Sequence, residues 1–241
     1  MKGWLQKNWP ITLILLIAAA LRFYRFWELP YTHDELSALL RAQVHSWSEF
    51  IETGVKLDNH PAGVQLLIFL QTLVSYEEWW IKLPYLVLGV WSVWLIYING
   101  RILNLSESGS LFAASLLAVS QYTISYSQWA RPYSVGLFLV LLLTWVLLKF
   151  RDDESKSFRW LMWYSIVAAL TGYVHYFTLL QAIIVSVFFL PFLNKRQRIQ
   201  LALAGVFSAL MWLPHIGITL HQMGRGGIGE WLHVPESGLW L

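Results

Sequence analysis

Cysteine is absent from the 241 residues, which excludes a disulfide framework, a thiolate metal site and a cysteine nucleophile. Charge is scarce as well. Lys, Arg, Asp and Glu make up 13% of the chain, where a soluble domain carries about a quarter. No repeat, linker or low-complexity segment divides the sequence, so 1–241 reads as one unit. The apolar residues, 57% of the whole, stand in long blocks that do not alternate, and mean hydropathy is +0.51. Such blocks specify an all-α polytopic membrane protein. The 15 Trp and 11 Tyr suit that class, because amphipathic rings favour the headgroup zone. The net charge of +3 is scattered over loop Lys and Arg, and no basic patch for nucleic acid is formed.

Eight segments are apolar enough to be considered for crossing: 10–27, 61–75, 83–103, 109–127, 133–149, 159–174, 177–193 and 199–220. The first lacks a small-residue cleavage site and is read as an uncleaved span. A turn at Tyr173-Val-His-Tyr176 separates the sixth and seventh, since the two together are too long for one span. Counting Lys and Arg in short loops tests the set. If 61–75 crosses, eight basic residues, those of Arg101, Lys149-to-Arg159 and Lys195-to-Arg198, fall outside, against the rule. If it does not, ten basic residues are inside and seven outside. Seven crossings are therefore expected, with the amino terminus inside and the carboxyl end outside. Residues 28–82 become one external segment with surface helices. Leu36, Leu39, Leu40, Val44 and Trp47 fit the apolar face of an interfacial helix. A second helix is expected from Pro61, capped by Asp58 or Asn59.

On this arrangement the seven histidines (33, 45, 60, 175, 215, 221 and 233) all lie outside or in the outer half of a span. Asp34, Glu35, Arg131 and Tyr133 join them. Asp34-Glu35 is an adjacent carboxylate pair at a surface where unpaired charge is costly. It could supply a general base, or hold a divalent cation together with His60. Thr32-His-Asp-Glu35 also fits a capping box, which accounts for Glu35 and leaves Asp34 unexplained. His60-Pro61 reads as a metal or phosphate ligand, or as a plain helix start. Arg131, in Tyr126-Ser-Gln-Trp-Ala-Arg-Pro-Tyr133, suits bidentate contact with phosphate; the alternative is a guanidinium snorkelling to lipid beside a belt tyrosine. His175-Tyr176 sits at the tight turn. His215, His221 and Arg225 carry weaker signals, and the Gly224-to-Gly229 run is read as an external loop, not a phosphate loop.

Taken together these residues resemble the GT-C glycosyltransferases of the protein-mannosyltransferase-like superfamily. The acidic pair of the first external loop is similar to Asp34-Glu35. The His-Pro-Pro element is similar to His60-Pro61, with Ala62 in place of the second proline. The tyrosine-serine … arginine-x-tyrosine signature resembles Tyr126-Ser127 through Arg131-Pro132-Tyr133, and a later His-Tyr-Phe matches His175-Tyr176-Phe177. The resemblance implies a GT-C fold of about seven transmembrane helices with surface helices in the first external loop, here as the amino-terminal module of a longer enzyme. It implies a polyprenyl-phosphate-linked sugar as donor, contact with membrane lipid, and an acceptor hydroxyl whose carrier is left open. Transfer proceeds with inversion at the outer face of the plasma (inner) membrane. Asp34 would be the base, with Glu35 beside it. Arg131, aided by His60 or a divalent metal ion, would stabilise the leaving phosphate. Tyr133, His175 and Tyr176 would shape the donor pocket. The contrasting class is a non-catalytic transporter part or lipid-binding scaffold, with paired repeats and broken helices near mid-bilayer. Convergence of Asp34, His60, Arg131 and His175 separates the two.

Overall fold

The computed structural model describes residues 2–153, 155 and 157–225. Among them there is helix and no strand. The order is α1 (Lys2–Phe23), α2 (His33–Arg41), α3 (Trp47–Glu49) running on into a π-helical turn (Phe50–Val55), α4 (Ala62–Thr72), α5 (Glu78–Ile102), α6 (Glu107–Val119), α7 (Gln121–Ser127), α8 (Pro132–Asp152), α9 (Ser157–Val174), α10 (Tyr176–Phe189), α11 (Lys195–Trp212) and α12 (Ile216–Gly224). The principal packing pairs are α5 with α8, α8 with α9, α9 with α11, and α1 with α5 and α6.

Four stretches are long and apolar enough to cross a membrane: Asn8–Glu28, Glu78–Ile102, Pro132–Asp152 and Lys195–Gly224. Ala62–Thr72, Glu107–Val119 and Tyr176–Phe192 are apolar but shorter. The expected seven spans are thus matched by length in four cases. Of the others, α9 runs unbroken for 18 residues, and α6 is shortened by a break at Ser120, whose extended backbone ends it before α7 begins. Surface helix α2 also stops earlier than its apolar pattern suggested, at Arg41, with Val44 and Trp47 beyond it. It buries Ala38 and Leu39 while Leu36 and Leu40 stay exposed. Helix α4 has Pro61 itself as its N-cap residue, in place of Asp58 or Asn59.

Two clusters form the apolar interior. The larger joins α2, α4, α5 and α8–α11 around residues such as Leu39, Ile68, Tyr85, Leu143, Trp160 and Leu201; the smaller joins α1, α5 and α6 around Ile11, Ala18, Val93 and Ala118. At the end of α1 the smaller cluster is closed by a charge. Arg22, near the end of the first apolar segment, is fully buried. The break at Ser120 leaves the last carbonyls of α6 without helical N–H partners. Arg22 supplies them: Nη1 donates to Ala118 O at 3.0 Å, and Nη2 to Leu117 O at 3.2 Å and Thr123 Oγ1 at 3.1 Å. Lys82, expected as a loop charge, is also buried, with Nζ donating to Leu29 O at 2.5 Å.

Replacing Arg22 by Met keeps the apolar stem and strands the Ala118 carbonyl at a penalty of about 1–3 kcal/mol, while Leu117 O keeps the Thr123 hydroxyl at 2.9 Å. Arg22→Met is expected to lower the thermal unfolding temperature of the detergent-solubilised protein by several degrees, and an unchanged midpoint would contradict this role.

Candidate active site

The two neighbouring carboxylates are placed in different surroundings. Thr32 caps α2: its Oγ1 accepts Glu35 N at 3.3 Å while Glu35 Oε2 accepts Thr32 N at 2.8 Å, the reciprocal capping box expected from the sequence. Glu35 Oε1 then reaches across to accept Ala130 N at 2.7 Å. The side chain is 1% exposed and both oxygens are engaged. Asp34 points outward with its side chain 64% exposed, and its Oδ1 lies 3.9 Å from His33 Nδ1. One carboxylate is a brace, and the other is presented to whatever approaches.

The bond from Glu35 to Ala130 fixes the residue before Arg131. Arg131 is the extended N-cap residue of α8, and Pro132 follows at the first helical position, where its missing N–H is of no consequence. Arg131 is buried. Its Nη1 donates to the backbone carbonyl of Asp34 at 3.3 Å, and its Nη2 lies 3.2 Å from His60 Nδ1 and 3.5 Å from Nε2. None of the ion pairs among the described residues includes it.

His60 stands on a loop held from both sides. Asp58 Oδ1 accepts Asn59 N at 2.7 Å and lies 3.1 Å from His60 Nδ1, and Asp58 Oδ2 accepts Arg41 Nη2 at 3.0 Å. Burial alone would raise the Asp58 carboxyl, but the His60 hydrogen bond and the charges of His60, Arg41 and Arg131 outweigh it and hold the group at about 2. Gln222 Nε2, from α12, donates to Val55 O and His60 O, both at 2.9 Å, and His215 Nε2 accepts Ala62 N at 3.0 Å. Gly63 lets α4 approach α9: a Cβ there would sit 2.6 Å from the carbonyl of Tyr173. That approach brings the His60 and His175 rings to 5.2 Å between centroids.

His175 is the extended N-cap residue of α10, its Nδ1 accepting Phe177 N at 3.1 Å. Tyr133 lies 6.2 Å from its ring and 4.4 Å from that of Tyr126. Asp34, His60, Arg131, Tyr133 and His175 thus come to one end of the bundle. Tyr176 faces elsewhere: its hydroxyl donates to Gln222 Oε1 at 2.6 Å and contacts Thr219 Oγ1 at 3.0 Å, bracing α12. The set Asp34, Glu35 and His60 does not assemble as metal ligands. Glu35 is spent on backbone N–H groups, Asp34 turns outward, and no group of three or more His, Asp or Glu comes together among the described residues. The opposite end of the bundle is joined by Gln197 of α11, which donates to the carbonyls of Phe150 and Arg151. His233 and Gly226–Gly229 lie outside the described residues.

Sequence reasoning gave Asp58 only a capping role and His215 a weak signal, counted Lys82 as a plain surface charge, and missed Gln222. For Lys82 a signal was available, a lone cation at the head of an apolar run. Gln222 had none, since its partners are 162 and 167 residues away.

Burial, then the charges of His60 and Arg131, pull the His175 imidazole down to about 4, so it is neutral and able to accept from Phe177. Its folded value lies below the ordinary 6.5, so an unfolded chain takes up the proton first. The neutral-ring contribution is complete above pH 6.5 and declines as pH falls toward 4. His175→Asn retains a capping acceptor and removes this titration. Its unfolding temperature is expected to change less between pH 6.5 and 4 than that of the wild type; equal slopes would refute the assignment.

Comparison with known proteins bears on the same residues. The family model described as dolichyl-phosphate-mannose-protein mannosyltransferase matches residues 59–218, more than half of the chain. The match takes in His60, Arg131, Tyr133 and His175 and begins after Asp34 and Glu35. A Bacillus subtilis (strain 168) protein named "Putative mannosyltransferase YkcB" is 22% identical over 158 residues, which cover 63% of this chain and 22% of that protein. The chain therefore spans only about a fifth of the length of that relative. An all-helical chain with several apolar helices, its polar side chains gathered at one end and its sequence matched over 59–218, belongs to the dolichyl-phosphate-mannose-protein mannosyltransferase family of membrane glycosyltransferases.

Proposed function

We propose that this chain carries the catalytic end of a glycosyltransferase that moves a sugar from a polyprenyl-phosphate donor to an acceptor hydroxyl, with inversion. The observation that supports this reading is the gathering of the His60, Arg131 and His175 side chains against the backbone carbonyl of Asp34, through contacts of 3.2–3.5 Å and a 5.2 Å ring pair, with the Asp34 carboxylate left exposed. The family description names dolichyl-phosphate-mannose as donor, and mannose is the first sugar to assay.

Asp34 is the base in this proposal. Its exposed carboxylate takes the acceptor hydroxyl proton as the new bond forms between the acceptor oxygen and the anomeric carbon. The bond from that carbon to the phosphate oxygen breaks, and polyprenyl phosphate leaves from the opposite face, as inversion requires. Arg131 receives the departing charge. Its terminal nitrogens hold only a carbonyl and an imidazole, weaker partners than a phosphate, so the guanidinium is placed in advance and has donors to give. His175, neutral and half-buried, and Tyr133 wall the sugar side. Glu35 positions: it fixes α2 and the backbone ahead of Arg131.

The proposed arrangement in the membrane has seven crossings: α1, α5, α6 with α7, α8, α9, α10, and α11 with α12. Helix α4 has 11 residues, about 16 Å at 1.5 Å per residue against a hydrocarbon core of roughly 30 Å, so it stays at the surface. Residues 28–82 and the site then face the outer side of the plasma membrane, and Arg101, Arg151 and Lys195 the inner side. The lack of cysteine makes sidedness directly readable. With a membrane-impermeant maleimide on intact cells, Leu57→Cys is expected to label and Ser108→Cys to label only after permeabilisation; the reverse pattern would refute this orientation.

The carboxylate roles separate by assay of the full-length protein in membranes with a polyprenyl-phosphate sugar. Asp34→Asn is expected to lower transfer by about 10²–10⁴-fold with an unchanged unfolding temperature. Glu35→Gln, able to accept only one of the two N–H groups, is expected to lose about 1–3 kcal/mol of stability. Wild-type transfer by Asp34→Asn would remove it as the base.

A further inference from the structure

His60 Nδ1 is claimed by two groups that ask opposite things of it. Asp58 Oδ1, 3.1 Å away, can only accept, and Arg131 Nη2, 3.2 Å away, can only donate. One ring nitrogen cannot serve both. The surroundings decide which claim prevails. Asp58 is 8% exposed, and its carboxylate is pinned by Asn59 N at 2.7 Å and Arg41 Nη2 at 3.0 Å. The backbone carbonyl of His60 is pinned by Gln222 Nε2 at 2.9 Å. Neither the carboxylate nor the loop has freedom to withdraw. Arg131 has: Nε2 of the same ring is 3.5 Å from its Nη2, and a phosphate would be a better partner than either nitrogen.

We infer that Asp58 is a positioning residue that holds the proton of His60 on Nδ1 and so presents Nε2 to the seat beside Arg131 and His175. This rests on the reading of that seat as the donor-phosphate site. Besides Asp58 on its own loop, the charged or titratable groups around the ring are Arg131 at the head of α8 and His175 at the α9–α10 turn, with Arg41 of α2 on the far carboxylate oxygen. The ionised Asp58 offsets positive charge on the ring when Nε2 also carries a proton and donates to the phosphate beside Arg131. The pairing follows the general habit of functional imidazoles, whose second nitrogen is oriented by a carboxylate. It needs no movement of the chain.

The test uses Asp58→Asn in the full-length protein. With Arg41 holding the amide oxygen, the amide N–H faces Nδ1 and drives the proton to Nε2. In ¹⁵N spectra of histidine-labelled protein, wild-type His60 is expected to show a protonated Nδ1 and the variant a protonated Nε2. A wild-type ring with bare Nδ1 and protonated Nε2 would overturn the inference, and this measurement holds even if the variant fails to fold. In transfer assays with a polyprenyl-phosphate sugar, Asp58→Asn is expected to reduce kcat by about 10- to 100-fold, the loss usual for an outer-shell partner, while KM for the donor moves less. Asp58→Glu is expected to recover part of kcat. Combined with His60→Gln, the Asp58→Asn loss should vanish, because the residue that Asp58 acts through is gone. If the loss persists in the His60→Gln background, Asp58 acts otherwise and the positioning role falls, while the phosphate site stands. If His60→Gln alone is silent, the phosphate role of His60 falls, and this inference with it.

Discussion

A single buried carboxylate holds the site end together. Glu35 is in none of the ion pairs found among the described residues; its carboxylate is held by two backbone N–H groups, one at the start of its own helix and one at Ala130. Ala130 lies 95 residues from Glu35 in sequence. Charge-assisted bonds of this kind are about twice as strong as neutral ones, and leaving a buried carboxylate short of a partner is correspondingly severe. The consequence is geometric. Once Ala130 is fixed to α2, the next residue, Arg131, must enter the same space as the Asp34 carbonyl and the His60 loop.

The same end contains three buried cations, and each is resolved without a carboxylate. Arg22 uses the α6 carbonyls freed at Ser120, Lys82 uses Leu29 O and the face of the Tyr31 ring at 5.2 Å, and Arg131 uses Asp34 O. Carbonyls become available wherever a helix is broken or a chain turns. In an apolar bundle those interruptions are therefore the places where charge can be housed. Breaks at Ser120 and in the 28–32 segment shorten helices and at the same moment create cation sites, which ties the fold's departures from plain spanning helices to its polar end.

What was legible in the sequence was local. The Thr32–Glu35 capping box, the helix after Pro61 and the turn at His175 follow from residues within a few positions of each other, and the structure has all three. Class and family followed from blocks and motifs of the same kind. What was not legible depends on distant backbone. Nothing near Glu35 announces Ala130, nothing near Arg22 announces the Ser120 break, and Gln222 looks like any polar residue beyond an apolar helix. Tyr176 was read from its neighbour His175, yet one residue around the helix turns its hydroxyl to α12. Helix breaks were hidden for a related reason: hydropathy averages across an interruption such as that at Ser120, which only packing makes visible.

The two buried arginines offer a comparison within one molecule. Both leave Nε without a partner, so the difference lies in the terminal nitrogens. Those of Arg22 meet three carbonyls and a hydroxyl, at 3.0–3.3 Å, all belonging to helices that pack on one another. Those of Arg131 meet one carbonyl at 3.3 Å and an imidazole that Asp58 also claims. Desolvating a guanidinium is expensive in either place, but only Arg22 is repaid in full by the fold. Arg22 is thereby finished as a structural element, and an anion arriving there would have to break the bonds that join α1 to α6. At Arg131 an anion would displace a long hydrogen bond and a contested nitrogen, gaining a bidentate partner and relieving the conflict at His60 Nδ1. The fold uses one arginine to join its helices and leaves the other, 3.3 Å from the carbonyl of Asp34, with the weaker set of partners.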